Sequence, residues 1–431
     1  MKKFFGMSMA LIASLMLTAC GGGSEKSDAK KTSSDENTVT VWAWDESFNI
    51  KALEEAKAFY DNKDVKLDIV NMSQEDIVQK LNTSLASGNT DGLPNIVLID
   101  DYQIQGYLTS YPDSFAPLDD VVNGDDFFPF KMSVNQMEGK TYGVPFDNAV
   151  TGFYFRRDYL EEAGYKPEDL QSLNWEEFIE IARVVKEKTG HPMVSMNPND
   201  LGLSATIMQS AGQWYMDEDA KKVNIKGNKA LAYSLKIRAQ MLKEGLAEPV
   251  ADWDGGVNAV QSGNVASAIT GCWYSSTIQG SKDQSGKWGI APIPVIKDDP
   301  NSRPASTIGG SGWYVIKGLP GEKNAKDFLK QTFASNLELM DVLAKEIGLV
   351  STLKEASKSP VYQEGVDFYG GQKVFEDFSK WSEDVITVNY GKDTYAIESV
   401  LTESLQQVVD GKDVEDVLAS AQKQAEEVIT Q

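Results

Sequence analysis

Behind Pro94 stands the run Asn95-Ile96-Val97-Leu98-Ile99, closed by Asp100-Asp101-Tyr102, and its reading decides the fold. A short unbroken aliphatic run, rich in β-branched residues and bounded by a proline and two carboxylates, reads as a strand buried on both faces. Such strands occupy the middle of sheets covered by helices. Working back from it, Ser73 is placed to cap a helix carrying Ile77, Val78, Leu81 and Leu85, and Val65 to Val70 has strand character. Before that, Lys51 to Tyr60 spaces Ala52, Leu53, Ala56, Phe59 and Tyr60 at helical intervals, and Thr38 to Trp44 alternates as a first strand. Strands alternating with helices imply a mostly parallel sheet with right-handed crossovers, hence an α/β protein.

Working forward, Asn174-Trp175-Glu176-Glu177 has the form of a capped helix start with an acid at N3, and Phe178, Ile179, Ala182 and Val185 continue it to Gly190 and Pro192. Asn228 to Glu244 predicts another helix stopped by Gly245, Val265 to Thr270 a strand, and Asn324 to Ala334, Tyr395 to Val409 and Val414 to Ile429 three more helices. No fixed-period repeat is visible.

The first nineteen residues are of another kind. Lys2 and Lys3 precede an apolar stretch from Phe4 to Leu17, too short to span as a stable helix, and Leu17-Thr18-Ala19-Cys20 opens directly into Gly21-Gly22-Gly23-Ser24. This resembles a lipoprotein signal. The resemblance implies cleavage before Cys20, acylation of its thiol, and retention on the extracellular face of the bacterial cytoplasmic membrane by the lipid alone. An ordinary secretory signal with a cysteine at the cleavage point is the alternative. From Gly21 to Thr38 no apolar residue is larger than Ala29, so this stretch reads as a flexible tether.

Removing residues 1–19 from the 431 leaves 412, and takes the net charge from −23 to −25 because only Lys2 and Lys3 are lost. That length suggests two or three domains. The acidic excess argues against nucleic acid or an anionic membrane surface as partner and favours a neutral or cationic solute. Cys272 has no partner once Cys20 is acylated and reads as a small buried hydrophobe. The one histidine, His191, sits beside Pro192 at a helix end, where a capping or surface role is the plain reading. There is no phosphate-binding glycine loop, no zinc-spaced histidine pair and no Cys-x-x-Cys, so enzymology is unsupported and no cofactor or metal is expected. With 64 Asp and Glu residues, a glycosidase-like carboxylate pair is uninformative without geometry.

Aromatic and polar residues cluster where predicted strands end, the place at which open parallel sheets bind ligands. These are Trp44-Asp45-Glu46-Ser47, Asp100-Asp101-Tyr102, Tyr142 through Asp147-Asn148, Gln213-Trp214-Tyr215, Trp253-Asp254, Gly271-Cys272-Trp273-Tyr274 and Gly309-Gly310-Ser311-Gly312-Trp313. An indole stacks on the C–H face of a sugar ring while carboxylates and amides bind its hydroxyls, so the mixture suits neutral carbohydrate. Any of these tryptophans could instead be core. Trp42, Trp175 and Trp288 lie within regular apolar patterns and read as core, whereas Trp273 and Trp214 are flanked by small and polar residues and read as ligand contacts.

The chain resembles the extracellular solute-binding lipoproteins of carbohydrate ABC importers, the group that includes maltodextrin-, lactose- and other oligosaccharide-binding proteins. The resemblance is carried by Val39 to Trp44, Gly92 to Val97, Gly139 to Pro145 leading to Phe153 through Asp158, Glu162 to Tyr165 before the helix at Trp175, Ser262 through Trp273, and Trp288 to Pro294. It implies a periplasmic-binding-protein-like fold: two discontinuous α/β lobes with a hinge and a central ligand cleft. Crossings would fall near Asn148 to Gly152, Thr307 to Ser311 and Ser351 to Glu355. The expected division is a signal at 1–19, a tether at 20–37, one lobe from 38–148 plus 311–352, and the other from 152–306 plus 356–431.

By matching position, the resemblance makes Glu46 and Ser47 the first-strand loop contacts, puts Asp147 or Asn148 at the first crossing, and makes Trp273 the main stacking residue. Tyr102, Trp214 and Trp313 are looser matches, and Tyr390 and Tyr395 are candidates near the C-terminus. Together with Asp45, Asp101, Trp253 and Gly310 these make up the expected site. The implied function is non-catalytic: a monomer captures a di- or oligosaccharide by closing its lobes and delivers it to two permease subunits served by a cytoplasmic ATPase. Two other readings stand beside it. A polyamine could be held in an aromatic box by Asp45, Glu46, Asp101 and Asp147, and a surface glycoside hydrolase or adhesin would share the anchor and the aromatic cleft.

Overall fold

A computed structural model describes residues 35–429; the signal, Cys20 and the tether up to residue 34 lie outside the described residues. The run that opened the sequence forms the strand Ile96–Asp100 at the centre of a five-stranded sheet. Its apolar residues are at most 2 % exposed, and they divide with period two: Val97 and Ile99 face one core, Ile96 and Leu98 the other. Thr38–Ala43 pairs parallel with both Lys66–Asn71 and Ile96–Asp100, as the strand and helix alternation requires. Ser73 caps the helix Gln74–Ser87 by accepting from the Asp76 N–H, and Asn174 and Glu177 form a reciprocal capping box at the head of Trp175–Thr189.

The expectation of a mostly parallel architecture holds for these three strands and for Val194–Met196, which pairs parallel with Ala247–Pro249, and fails in the rest of the two larger sheets. Ser311–Val315 joins Ile96–Asp100 antiparallel, Gly143–Pro145 joins it antiparallel in turn, and the second sheet, ordered Ser267–Gly271, Thr151–Arg156, Trp288–Ala291, is antiparallel throughout. The cause lies in the crossings. Ser311 enters the first sheet beside Asp100, at the end where the parallel strands finish, and can only run back against them. Thr151 leaves the same region beside Gly271, so it runs against strands that arrive there.

Three stretches lie side by side between the sheets. Asn148 N–H donates to the Val350 carbonyl over 3.2 Å, Thr151 N–H to Ser306 over 2.8 Å, and Ile308 N–H to Ala149 over 3.2 Å, with bridges pairing Asp147 to Ser351 and Val150 to Thr307. The result is two discontinuous α/β lobes about a hydrogen-bonded hinge.

Two helices differ from expectation. Between Thr38–Ala43 and Lys51–Ala56 the chain first makes a wide helical turn, Glu46–Ile50, because Asp45 caps the Ser47 and Phe48 N–H groups. The helix expected from Tyr395 to Val409 is divided into Thr394–Leu401 and Ser404–Val409, where the Thr402 hydroxyl donates to the Ser399 carbonyl and competes with the helical pattern. Trp42, Trp175 and Trp288 are all core, and Cys272 is a buried free thiol. No helix among the described residues is long and apolar enough to cross a membrane.

Candidate ligand-binding site

The residues named from the sequence, Trp313 apart, fall into four places. The first is a cavity of about 290 Å³, bordered by Trp253, Trp273, Tyr274, Thr270, Asp200 and Ile308. The chain turns sharply into a short helix as Ser267–Gly271 ends, and the Trp273 indole folds back over Gly271, where any Cβ would stand 2.2 Å from the indole nitrogen. Its Nε1 donates to the Ile308 carbonyl over 3.0 Å, which fixes the ring against a hinge stretch. Trp253 is 57 % exposed and meets Trp273 at 5.7 Å between ring centroids with a 40° tilt, while Tyr274 stands edge-on to both. Rings plus hydroxyl and carboxylate groups around a small concavity can stack a flat apolar face and bind the polar rim of the same molecule.

The second place is the hinge. Asp101 and Lys131 form a buried ion pair, 4 % and 1 % exposed at their side chains. Burial pushes Asp101 up to about 6 against the pull of the Lys131 ammonium. Gly310 lies directly over this pair in a left-handed conformation, and a Cβ there would come within 2.6 Å of the Asp101 carboxylate and 2.9 Å of Lys131 Nζ. Asp147 accepts from the Ser311 hydroxyl over 2.6 Å. Asn148 donates to the Ser351 carbonyl and accepts from Val150 N–H and the Ser382 hydroxyl. The Asp147 and Asn148 side chains thus tie the crossings together.

The third place is an aromatic wall joining the lobes. Tyr102 lies 4.8 Å from Tyr390, 5.3 Å from Trp214 and 6.1 Å from Tyr395. Trp214 follows the helix Gly202–Ser210 rather than a strand, is buried, and donates through Nε1 to the Thr394 hydroxyl over 3.1 Å. The Tyr395 hydroxyl donates to Asp100 over 3.0 Å. Asp100 is pushed up to about 7 by burial and by the neighbouring Asp101 charge, and Glu398, which accepts from the Tyr215 hydroxyl, is raised to about 7 by burial and by the charges of Asp200 and Asp100.

The fourth place is the turn after the first strand. Asp45, Glu46 and Ser47 are exposed. Asp45 Oδ1 is engaged by the Ser47 hydroxyl and two N–H groups, and Ser47 borders a groove of about 610 Å³ shared with Ser275 and Ser276.

Trp313 joins none of these. It is fully buried between Phe146 and Phe333 in the first lobe's core, because its register opposite Leu98 and Val144 turns it to the inner face. Sequence reasoning missed Lys131, Asp200, Thr307 and Glu398. Only Lys131 had a signal: a lysine inside Phe127-Phe128-Pro129-Phe130-Lys131-Met132 has to be buried with an acid.

A two-lobed α/β shell with a hydrogen-bonded hinge and a tryptophan-lined cavity beside it is the build of a receptor that takes up a small solute. The chain belongs to the bacterial extracellular solute-binding proteins, whose family model matches residues 51–370. It is 43 % identical over 389 residues to the lactose-binding protein of Rhizobium radiobacter, covering 90 % of this chain and 92 % of that one. Among solved structures, the GacH receptor of Streptomyces glaucescens, determined unliganded and with acarbose, matches with a TM-score of 0.76 at 19 % identity, over 91 % of this chain and 98 % of its own. The ABC transporter associated binding protein of B. animalis subsp. lactis, in complex with β-1,6-galactobiose, matches with a TM-score of 0.73 at 21 % identity, over 90 % and 96 %. At these identities the two structures speak for the fold.

Proposed function

We propose that this protein is the non-catalytic, extracellular capture component of a carbohydrate ABC importer, closing its lobes on a di- or oligosaccharide and handing it to two permease subunits powered by a cytoplasmic ATPase. The lobes are taken as residues 38–148 plus 311–352 and 152–306 plus 356–431. One observation carries the reading: Trp273, pinned to the hinge at Ile308, stacks beside Trp253 at the cavity mouth, in a chain of the same family and near-full coverage as a lactose-binding relative. A β-galactosyl disaccharide is the first ligand to test.

Trp273 and Trp253 are the proposed stacking residues, and Ser47 and Glu46 the proposed contacts from the first lobe. Asp101, Asp147, Asn148 and Gly310 act on the ligand through the hinge they hold. The chain is anchored as a monomer through acylated Cys20, with no other membrane contact and no nucleic acid partner.

A cationic ligand is the weaker reading on specific grounds. Of the four carboxylates that would form its box, Asp101 is paired with Lys131, Asp45 caps a turn, and Asp147 holds Ser311. A thermal-shift screen of residues 38–431 against mono-, di- and oligosaccharides and polyamines tests the proposal, since a ligand bound only by the native state raises its melting temperature. A rise with β-galactosides supports it. A rise with polyamines alone, or release of free monosaccharide on prolonged incubation, contradicts it.

A further inference from the structure

We propose that Arg238 is a positioning residue for sugar capture: its buried guanidinium holds the stretch 197–204 in the wall of the Trp273 cavity, so that the Asp200 carboxylate is placed to accept from the hydroxyls of the saccharide. This rests on the sugar-capture reading above. Arg238 sits among the core residues of the helix Lys229–Lys243 and is 1 % exposed. Its Nη1 donates to the Ser204 hydroxyl over 2.9 Å, and its Nη2 donates to the carbonyl of Asp200 and, over 3.4 Å, to that of Asn197. Arg238, Asn197 and Asp200 all border the cavity of about 290 Å³ that Trp273 and Ile308 also border.

A guanidinium taken out of water is costly unless its donors are used. Burial pushes Arg238 down to about 10 against the pull of the Asp200 charge, so it is a cation at neutral pH. Yet every acceptor it bonds is neutral and belongs to one short stretch, and its Nε has no partner among the described residues. It is joined to Asp200 through the backbone carbonyl, which leaves the carboxylate available. Asp200 Oδ1 accepts the Gly202 N–H over 2.6 Å, and Oδ2 is without a partner among the described residues. From the other side the stretch is pressed against the hinge: a Cβ on Gly202 would stand 2.6 Å from Cδ1 of Ile308, whose carbonyl holds the Trp273 indole. A free carboxylate oxygen on the wall of an indole-lined cavity is the acceptor that pairs with a sugar hydroxyl while the ring stacks.

The test is titration calorimetry with lactose on the detergent-solubilised full chain, with melting curves alongside. Arg238→Met and Asp200→Asn are each expected to weaken lactose binding about tenfold, the size of a lost hydrogen bond to a charged group. In the Arg238→Met background, Asp200→Asn is expected to cost less than about twofold more, because both changes remove the same contact; losses from an arginine that only supports the fold would add. Arg238→Lys, which keeps the charge and a single donor group, is expected to recover part of the affinity. Ser204→Ala removes only the hydroxyl that Nη1 reaches, and a loss of about threefold is expected there; this variant carries the test where Arg238→Met fails to fold. Additive losses in the double variant, or wild-type affinity in a folded Arg238→Met or, failing that, in Ser204→Ala, overturn the positioning role while leaving sugar capture standing. A wild type that binds neither lactose nor any other neutral saccharide overturns both.

Discussion

The Tyr395 hydroxyl donates to Oδ1 of Asp100 over 3.0 Å, and with that bond a helix of the second lobe is fastened to the end of the first lobe's central strand. The same oxygen accepts the Tyr102 N–H over 2.8 Å, so the latch sits at the head of the helix whose tyrosine anchors the aromatic wall. The two segments thus share an identifiable polar clasp. Tyr395→Phe removes only the hydroxyl. A hydrogen bond to a charged group is worth about 1.5–3 kcal/mol, so the variant is expected to lose stability of that order in urea denaturation above pH 7, where Asp100 is charged, and an unchanged midpoint would remove the clasp.

The Asp101–Lys131 pair predicts a different response. Both side chains are buried under Gly310, so Lys131→Met leaves a carboxylate without its partner. Breaking such a pair from one side costs about 3–5 kcal/mol. Urea denaturation is expected to show that loss, and the double change Lys131→Met with Asp101→Leu to recover part of it.

Asp100 and Glu398 set a pH dependence. Both are raised to about 7 in the folded chain, against roughly 4 for ordinary carboxyls. The folded state therefore holds more protons than the unfolded state between about pH 4 and pH 7, and these groups make the protein more stable as the pH falls through that window. The melting temperature is expected to be a few degrees higher at pH 6 than at pH 8. Asp100→Asn with Glu398→Gln should flatten the difference.

Stacking is tested at Trp273. Replacing it by alanine is expected to weaken sugar binding at least tenfold, about 1.4 kcal/mol, while the far-ultraviolet spectrum stays that of the wild type. Affinity unchanged by the substitution would remove the ring from the site.

The proposed lipid anchor is tested at Cys20. Cys20→Ala is expected to release the protein into the medium, read by fractionation and immunoblot, and retention on the membrane would count against acylation there.

Much of the fold was readable because it is written as burial. Ile96 to Ile99 can be solvated on neither face, which announces a central strand, and the Asn174/Glu177 capping box announces a helix start. The direction of the second sheet was not readable, because it follows from where the crossings enter, and crossings are long-range hydrogen bonds such as Thr151 to Ser306.

The site was half readable for the same reason. Trp273 and Trp313 stand in similar glycine-containing surroundings, yet one lies just past a strand end and the other two residues inside a strand, opposite Leu98. A shift of that size decides between cavity and core, and local composition does not reveal it. Trp214 shows a second limit: its neighbours are small and polar, but a helix places it against Tyr102 and Tyr390, far along the chain on both sides.

Titration of residues 38–431 with lactose at low and high salt tests sugar capture most directly. One site of about micromolar affinity, near −8 kcal/mol, is expected, unaltered by salt because the ligand is neutral. No heat with any neutral saccharide, together with salt-sensitive binding of a polyamine, would contradict it.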